Sequence, residues 1–303
     1  MTQRFVSFLL VFNKYLPLLL LIAVVFLTGL TIYALHGSSF AVLNPKGVVA
    51  LKERNLMLLA TLLMSLVVVP VLGLTFWIAW RYRKENRRAS YTPNWDHSLI
   101  FESVWWGIPC VIIFGLAVIS WTSSHALDPA KALASAKSPI TVQVVALPWK
   151  WLFIYPAQGI ATVNYVEFPE NTPINFQITA DAPMNSFWIP QLGSQIYAMP
   201  GMTTSVKLMA DHAGVFHGDS ANLSGAGFAS MQFRALSVSA AEFDRWTSAS
   251  KQASTSLDGQ TYAGLVKPSE HLPEGTYRLG DAHLFEKAVE SYMSPAMGSM
   301  SMP

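Results

Sequence analysis

The chain has little charge and almost no cysteine. Only 13% of its 303 residues are charged and 52% are hydrophobic, whereas an average soluble domain has roughly 25% charged residues. A single soluble core of that composition would be hard to keep in solution, so much of the chain is predicted to lie in lipid. The single cysteine, Cys110, excludes a disulfide framework, an all-cysteine zinc or iron–sulfur site, and any copper centre that needs two thiolates from this chain.

Charge is distributed unevenly along the chain. Residues 1–127 carry ten basic and four acidic side chains, and residues 128–303 carry ten and fourteen, so the two parts have net charges of +6 and −4. The sequence has no nucleophile-and-base spacing, no phosphate-binding glycine loop and no basic nucleic-acid surface. The chain alone is therefore predicted to be inactive and to bind no nucleic acid.

Three stretches contain no Asp, Glu, Lys or Arg: 15–45, 55–80 and 103–127. A helix of roughly 20 apolar residues crosses the hydrocarbon core of a bilayer, and each stretch reaches that length. The first stretch follows Arg4 and Lys14 and reads equally as a signal sequence or as a retained membrane helix. We therefore expect a signal sequence or membrane segment at 1–41 and a two-helix transmembrane hairpin at 42–127.

A short basic segment fixes the expected orientation. Residues 81–88 carry five basic side chains against a single acidic one, Glu85. By the positive-inside rule the loop 81–98 is cytoplasmic, and everything after about residue 125 lies outside.

From Pro139 the pattern changes to short β-branched and aromatic runs separated by turn residues, which predicts a β-sandwich or barrel at 139–238. Ser239-Ala-Ala-Glu242 has the spacing of a capping box and opens a predicted helix. Residues 239–303 are predicted to be a helical, methionine-rich polar tail, with another helix near 281–293. Four methionines near its end could offer thioethers to copper(I), but a disordered tail of small residues is the expected structure: Met293, Met297, Met300 and Met302.

Several strings resemble those of one protein family: Tyr91-Thr-Pro-Asn-Trp95, Pro148-Trp-Lys-Trp151, Tyr155-Pro-Ala-Gln-Gly-Ile-Ala-Thr-Val163, Met184-Asn-Ser-Phe187 and Gln191-Leu-Gly-Ser-Gln-Ile-Tyr-Ala-Met199. Together they resemble subunit II of the heme–copper oxidases, specifically of the cytochrome bo-type ubiquinol oxidases, from about Asn44 to Trp246. The resemblance implies a cupredoxin-like periplasmic domain on a two-helix hairpin in a bacterial inner membrane. It also implies catalytic subunit I and other subunits as partners, with heme and copper in the catalytic subunit and ubiquinol as substrate of a proton-pumping complex.

Copper-binding members of that superfamily hold a binuclear centre in a loop of pattern Cys-x-Glu-x-Cys-x3-His-x2-Met, and residues 220–231 align with it without a gap. Soft sulfur and imidazole ligands suit that metal, and hydroxyl or amide groups do not replace them. Five of six positions differ here, with Met231 alone retained: Asn185, Ser220, Asn222, Ser224 and Phe228. The chain is therefore expected to bind no metal or other cofactor and to receive no electrons from a cytochrome c.

Two further predictions concern single residues. Trp149 and Trp151 are two apart on a predicted strand and would share one face, with Lys150 opposite; we expect the pair to contact the catalytic subunit. Glu102 is the only carboxylate within a predicted spanning segment, where an ionised side chain is costly. The resemblance implies a proton-entry role for Glu102, and the alternative is a helix-end carboxylate that extends to the lipid headgroups.

Other interpretations stay open at this point. One is a cytochrome c oxidase subunit II with a degenerate copper site, and another is a membrane-anchored cupredoxin-like assembly or binding protein. Ser38 stands where close relatives have a lipoprotein cysteine, and its hydroxyl cannot form the thioether. His212 and His217 lack a third ligand and are expected to be surface histidines.

Overall fold

The computed structural model describes residues 40–90, 92 and 95–293. Ser38, most of the first charge-free stretch, and Met297, Met300 and Met302 lie outside the described residues. The described chain divides into a helical unit, which includes residues 57–122, and a β-rich unit formed by residues 44–56 and 123–293.

The helical unit is built on two long helices, α1 (Val48–Arg81) and α2 (Leu99–Ala126). Among the described residues, these two helices are long and apolar enough to cross a bilayer, and they correspond to the second and third predicted spans. Their apolar side chains are largely exposed within this chain, which is the surface that lipid or another subunit would cover. Helix α1 begins before the charge-free stretch and includes Lys52, Glu53 and Arg54.

The first turn of α1 belongs to the β-rich unit. Gly47 forms an isolated antiparallel bridge with Ala210, and the Ala50 amide donates to the Leu192 carbonyl at 3.1 Å. A Cβ on Gly47 would lie 2.4 Å from the Met209 carbonyl oxygen, so this close approach of two backbones requires glycine. The first N–H groups of a helix have no partner within the helix and otherwise bind water. Here the β-rich unit supplies an acceptor for one of them, the Ala50 amide.

In the part of the chain that the structure describes, twelve strands form two sheets that face each other, which confirms the predicted all-β fold of this domain. The strands are β1 (Ile140–Leu147), β2 (Lys150–Tyr155), β3 (Ile160–Val163), β4 (Tyr165–Pro169), β5 (Ile174–Ala180), β6 (Asn185–Trp188), β7 (Ile196–Ala198), β8 (Thr204–Leu208), β9 (Gly214–Ser220), β10 (Gln232–Val238), β11 (Ser256–Leu257) and β12 (Gly275–Leu279). One sheet has the order β11-β12-β3-β2-β1-β5-β8, and the other β4-β10-β9-β6-β7. The core between them is rich in aromatic side chains from both sheets, including Trp151, Phe153, Phe176, Phe187 and Phe233.

The nearly continuous apolar sequence from Ile160 to Phe168 forms two strands that lie in different sheets. Asn164 adopts a φ of 58° between β3 and β4, a left-handed conformation that asparagine tolerates better than most residues. Its side chain holds the corner, because Oδ1 accepts from the Trp151 amide at 3.0 Å and Nδ2 donates to the Leu272 carbonyl at 2.7 Å. The corner moves the chain from the larger sheet to the smaller one.

The predicted polar tail is largely part of the domain. Helix α3 (Ala240–Ser250) begins at the predicted capping box, and the segment after it supplies β11, α4 (Gly259–Leu265), β12 and α5 (Leu284–Glu290). Strands β11 and β12 extend the larger sheet beside β3. The outer face of that sheet forms a second apolar core with the segment, through residues that include Leu257, Leu265, Leu284, Phe285 and Val289.

This second core explains why β1 and β2 read as near-continuous apolar runs. The side chains of β2 are buried on both faces, one against the other sheet and one against the C-terminal segment. Strands buried on both sides lose the alternation of apolar and polar residues that marks a half-exposed sheet. Residues 239–303 were predicted to be a polar tail because their apolar residues are few and widely spaced in sequence, but the described apolar residues between 257 and 289 pack on the larger sheet.

Candidate functional site

The positions equivalent to copper ligands meet at one end of the smaller sheet. Asn185 begins β6 and Ser220 ends β9, and the two strands pair antiparallel with Phe187 opposite Ser220. The chain then runs through a loop and a 3-10 turn, Ala226–Ser230, to Met231. The structure therefore brings Asn185 and Ser220 together, as the alignment with the ligand pattern predicts.

Asn185, Ser220 and Asn222 form side-chain hydrogen bonds within this end of the sheet, whereas Ser224 Oγ is buried without a hydrogen-bond partner. The Ser220 hydroxyl donates to Asn185 Oδ1 at 2.7 Å, and Asn185 Nδ2 donates to the Pro183 carbonyl at 2.8 Å. The Ser186 hydroxyl donates to Asn222 Oδ1 at 2.7 Å. Because Asn185 and Ser220 are buried, such pairing avoids the cost of an unsatisfied polar group.

This donor set does not fit a binuclear copper centre. It offers hydroxyl and amide groups and one buried thioether, Met231, where the metal needs thiolates and imidazoles. Cys110 lies in α2, and His212 and His217 are exposed. Among the described residues, no group of three or more His, Cys, Asp or Glu side chains could hold a metal ion.

Trp149 closes the same loop from outside. It lies in the two-residue turn between β1 and β2 with a φ of 62°, and its Nε1 donates to the Ser224 carbonyl at 3.1 Å. Its ring covers Gly227 so closely that a Cβ there would lie 2.4 Å from Trp149 Cδ2. The absence of a side chain at Gly227 thus makes room for the indole.

The prediction that Trp149 and Trp151 lie on one strand was wrong, although both side chains pack against the core between the two sheets. Because the chain turns at Pro148 and Trp149, β2 begins at Lys150, and Trp151 points between the two sheets. Trp151 is 0% exposed, with its ring 5.5 Å from that of Phe187 and 5.7 Å from that of Phe233. Its ring belongs to the domain core, so a contact with another subunit is possible only for the half-buried Trp149.

Lys150 lies on the opposite face from Trp151, as expected, but that face is also covered. Its Nζ donates to the carbonyls of Leu265 and Lys267 at 2.9 and 2.7 Å. These carbonyls lie at the end of α4, where the helix dipole favours a cation. Burial lowers the pKa of Lys150, since desolvation disfavours the charged amine.

Glu102 lies in the first turn of α2. This end of the helix directly follows the loop that contains the basic residues. Its Oε1 lies 2.6 Å from Nδ1 of His97 and 3.4 Å from the Ser98 amide, which donates to it. The side chains of His97 and Glu102 are 61% and 36% exposed. Sequence reasoning singled out Glu102 but missed His97, because a histidine five residues away has no fixed spacing signal across a helix start.

Glu167 is a second acidic group in an unusual environment. It lies half-buried on β4, at the edge of the smaller sheet. Burial, with a smaller contribution from the negative charge of Glu242, raises the pKa of Glu167 from its ordinary 4.5 to about 7. The backbone amide of Glu167 donates a hydrogen bond to the Tyr155 hydroxyl at 2.8 Å and is therefore satisfied.

Comparison with known proteins gives two family matches within the β-rich unit. The family model "Cytochrome C oxidase subunit II, periplasmic domain" matches residues 140–238. A second family model, "COX Aromatic Rich Motif", matches residues 251–296, the segment that covers the larger sheet.

Individual relatives match most of the chain. It is 51% identical over 258 residues to cytochrome bo(3) ubiquinol oxidase subunit 2 of Pseudomonas aeruginosa, covering 85% of this chain and 78% of that protein. It is 49% identical over 260 residues to ubiquinol oxidase subunit 2 of Acetobacter aceti, covering 85% and 84%. The crystal structure of the periplasmic domain of subunit II of cytochrome oxidase of Bradyrhizobium japonicum matches with 24% identity and a TM-score of 0.37, covering 38% of this chain and 96% of that one.

Proposed function

Because the chain belongs to the ubiquinol oxidase subunit 2 family of the heme–copper terminal oxidases, we propose that it is the non-catalytic subunit II of a proton-pumping complex that oxidises ubiquinol and reduces oxygen to water. Catalytic subunit I would hold the hemes and the copper. The single observation that carries the proposal is the hydrogen-bonded Asn185–Ser220 pair at the ligand-equivalent positions. A domain with these donors has no copper centre through which electrons could pass. This agrees with a complex that takes its electrons from a quinol in the membrane.

The proposed arrangement places α1 and α2 in a bacterial inner membrane, with the basic loop in the cytoplasm and the β-rich unit in the periplasm. Two observations support it: the length and apolar surface of both helices, and the five basic side chains of residues 81–88. The match of residues 140–238 to a periplasmic domain family supports the same side for the β-rich unit.

Glu102 is proposed as the proton-entry residue of this subunit. Its place in the first turn of α2, beside the basic loop, puts a titratable group at the proposed cytoplasmic surface. Exposure of about a third of the side chain leaves it accessible to water. Trp149 is proposed as the aromatic contact with the catalytic subunit, since part of its ring is exposed at the loop end of the sandwich.

Purification of the tagged chain from mild detergent tests the subunit assignment. We expect a complex that contains heme and a large polytopic partner, and that oxidises ubiquinol with oxygen. A lone 33.4 kDa species without heme would overturn the assignment and favour a free-standing membrane-anchored binding or assembly protein.

The role of Glu102 is tested in that complex by Glu102→Gln, with Glu85→Gln in the exposed part of the same loop as the matched control. We expect normal heme content in both variants and slower steady-state ubiquinol oxidation only in Glu102→Gln. Unchanged turnover across pH in the assembled Glu102→Gln complex would leave Glu102 as a helix-end anchor.

A further inference from the structure

Methionines from segments that are distant in sequence meet beside the start of β6. Met184 directly precedes β6, and Met199 directly follows β7. These strands pair antiparallel with Asn185 opposite Ala198, so the two methionines occupy the next opposing positions. Opposing Cβ atoms of an antiparallel ladder lie about 5 Å apart. The end of the β6–β7 pair therefore brings two thioethers together.

A tight turn adds Met202. The Met202 amide donates to the Met199 carbonyl at 3.4 Å, and Pro200 and Gly201 occupy the central positions of the turn, Gly201 with a φ of 71°. This is the pattern of a type II turn, in which the first and fourth Cα atoms lie within about 7 Å of each other. Met199 and Met202 are therefore neighbours.

The C-terminal segment places Met293 against this turn. A Cβ on Gly201 would lie 3.2 Å from Tyr292 Cβ, so Tyr292 packs directly on the glycine. Asp181, in the loop that leads to β6, holds this contact in place. Its two carboxylate oxygens accept hydrogen bonds from the Tyr292 and Tyr262 hydroxyls at 2.8 and 2.7 Å. Met293 follows Tyr292 and is thereby held beside the turn.

The thioethers of this group are open to a ligand from solution. Met184, Met202 and Met293 are 45%, 53% and 64% exposed, and Met199 is half-buried, although methionine is ordinarily a buried residue type. The methionine side chain has three rotatable bonds, so the sulfur atoms can turn towards a common point. The carboxylate of Asp181 adds a negative charge nearby that favours a cation.

We propose that these four methionines form a surface site that binds one copper(I) ion through thioether sulfur: Met184, Met199, Met202 and Met293. Soft thioether ligands select copper(I), whereas zinc, magnesium and calcium prefer imidazole or oxygen ligands. The segments 181–184, 199–202 and 290–293 contain no histidine or cysteine, so sulfur without an ionisable proton is the soft donor that they offer.

This site goes beyond the proposed function and is separate from the positions equivalent to ligands of the binuclear centre. The expectation that the chain binds no metal was drawn from those positions and from histidine and cysteine, and it took no account of methionines from different segments. The ion would be held as copper(I) and is given no part in electron transfer.

Anaerobic competition between the full chain in mild detergent and a chromophoric copper(I) chelator tests the site. We expect the natural chain to bind one equivalent of copper(I) with equal affinity at pH 5 and pH 7.5, because a thioether does not have to lose a proton before it binds a metal. The variant in which all four methionines are replaced by leucine, which has a similar volume, should lose affinity by roughly tenfold or more, since no soft donor remains.

Met209→Leu is the matched control. Met209 is a half-buried methionine of the same unit that follows β8, whereas Met202 precedes that strand, so the two lie about 20 Å apart along the chain. We expect this variant to bind copper(I) as the natural chain does. Should the fourfold variant not fold, as judged by circular dichroism, the exposed single variants Met202→Leu and Met293→Leu are read in the same way, with a several-fold loss expected.

A chain that ends at Met293 separates this site from the last methionines of the sequence, Met297, Met300 and Met302. It should keep the affinity of the natural chain. Loss of binding in the shortened chain, or undiminished binding in the fourfold leucine variant, would assign copper(I) to other methionines and overturn the proposal. An affinity that falls at pH 5, or that zinc(II) matches, would indicate imidazole or carboxylate ligands and would overturn it as well.

Discussion

The Ser220 hydroxyl donates a hydrogen bond to Asn185 Oδ1 at 2.7 Å, which links strands β6 and β9. This bond fixes the position at which the loop after β9 begins. A hydrogen bond between buried side chains contributes about 0.5–1.5 kcal/mol, and loss of one partner costs more because the other is left unpaired. The ligand-equivalent positions therefore retain a structural role although their donors do not suit a binuclear copper centre.

Installing the ligand set at those positions should create a copper centre if the loop has kept the geometry of its copper-binding relatives. Met231 is already present, and the changes are Asn185→His, Ser220→Cys, Asn222→Glu, Ser224→Cys and Phe228→His. Anaerobic titration of the full chain with copper should then give the purple thiolate charge-transfer colour, because thiolates suit this metal.

Two controls bracket that experiment. The natural chain should stay colourless, and so should a variant with both histidines and the glutamate but with Ser220 and Ser224 retained. Purple colour in the natural chain would contradict the account of its donor set.

Glu167 should make the β-rich unit less stable as pH rises. Its folded-state pKa of about 7 lies above the ordinary value of 4.5, so the folded state binds the proton more tightly than the unfolded state. The stability that protonated Glu167 contributes is therefore present below pH 4.5 and is lost as pH rises towards 7.

The natural chain should have a lower melting temperature at pH 8 than at pH 5 because of Glu167. In Glu167→Gln this decrease from pH 5 to pH 8 should be smaller. The exposed Glu270 provides the control variant, Glu270→Gln. Thermal unfolding followed by circular dichroism at both pH values measures the difference, and equal pH dependence in all three proteins would refute the assignment.

At the scale of elements, strands and helices with strong local patterns were predictable. Strands β1 and β2 are continuous runs of mostly apolar residues. Helix α3 begins at a capping box in which both reciprocal hydrogen bonds are present. The helix predicted near 281–293 is α5. Each of these signals is local in sequence.

Elements that depend on distant partners were missed. Strand β9 alternates buried Phe216, Gly218 and Ser220 with exposed or half-buried polar residues, but glycine and serine at inward positions hide the pattern. A Cβ on Gly218 would lie 2.0 Å from the Phe233 ring, so a neighbouring strand dictates that glycine. For the same reason, the turn at Trp149 and its contact with Ser224 could not be read from the spacing of the two tryptophans.

Lys150 should hold the C-terminal segment on the larger sheet. In Lys150→Met the carbonyls of Leu265 and Lys267 lose their donor, which costs about 1–3 kcal/mol if both stay buried. We expect faster amide hydrogen exchange in α4, with the strands between the two sheets little changed.

The matched control for this element is Lys207→Met. Lys207 Nζ donates to the Ala130 carbonyl at 2.6 Å in an exposed setting, where water can replace it. Equal exchange rates in α4 for both variants would show that the buried ammonium contributes nothing to the attachment.

At the scale of the whole molecule, the short basic loop between the two long helices predicts the topology. With five Lys and Arg side chains within residues 81–88, this loop should stay in the cytoplasm and the part of the chain after the second helix should lie on the other side. Reporter fusions at about residue 90 and after residue 293 should be active on opposite sides of the membrane. A reporter at residue 90 that is active only outside the cytoplasm would contradict this topology. The mass of the same fusion protein shows separately whether the N-terminal stretch has been cleaved.

The second apolar core also sets an order on biosynthesis. Ribosomes make residues 257–289 after every strand that they cover, so the outer face of β1, β2 and β3 has no partner while the nascent chain is still growing. An uncovered apolar sheet face is an aggregation hazard and a binding surface for chaperones. Chains that terminate early, near residue 250, would keep that face permanently bare, so protein quality control could distinguish them from finished chains by exposed surface alone.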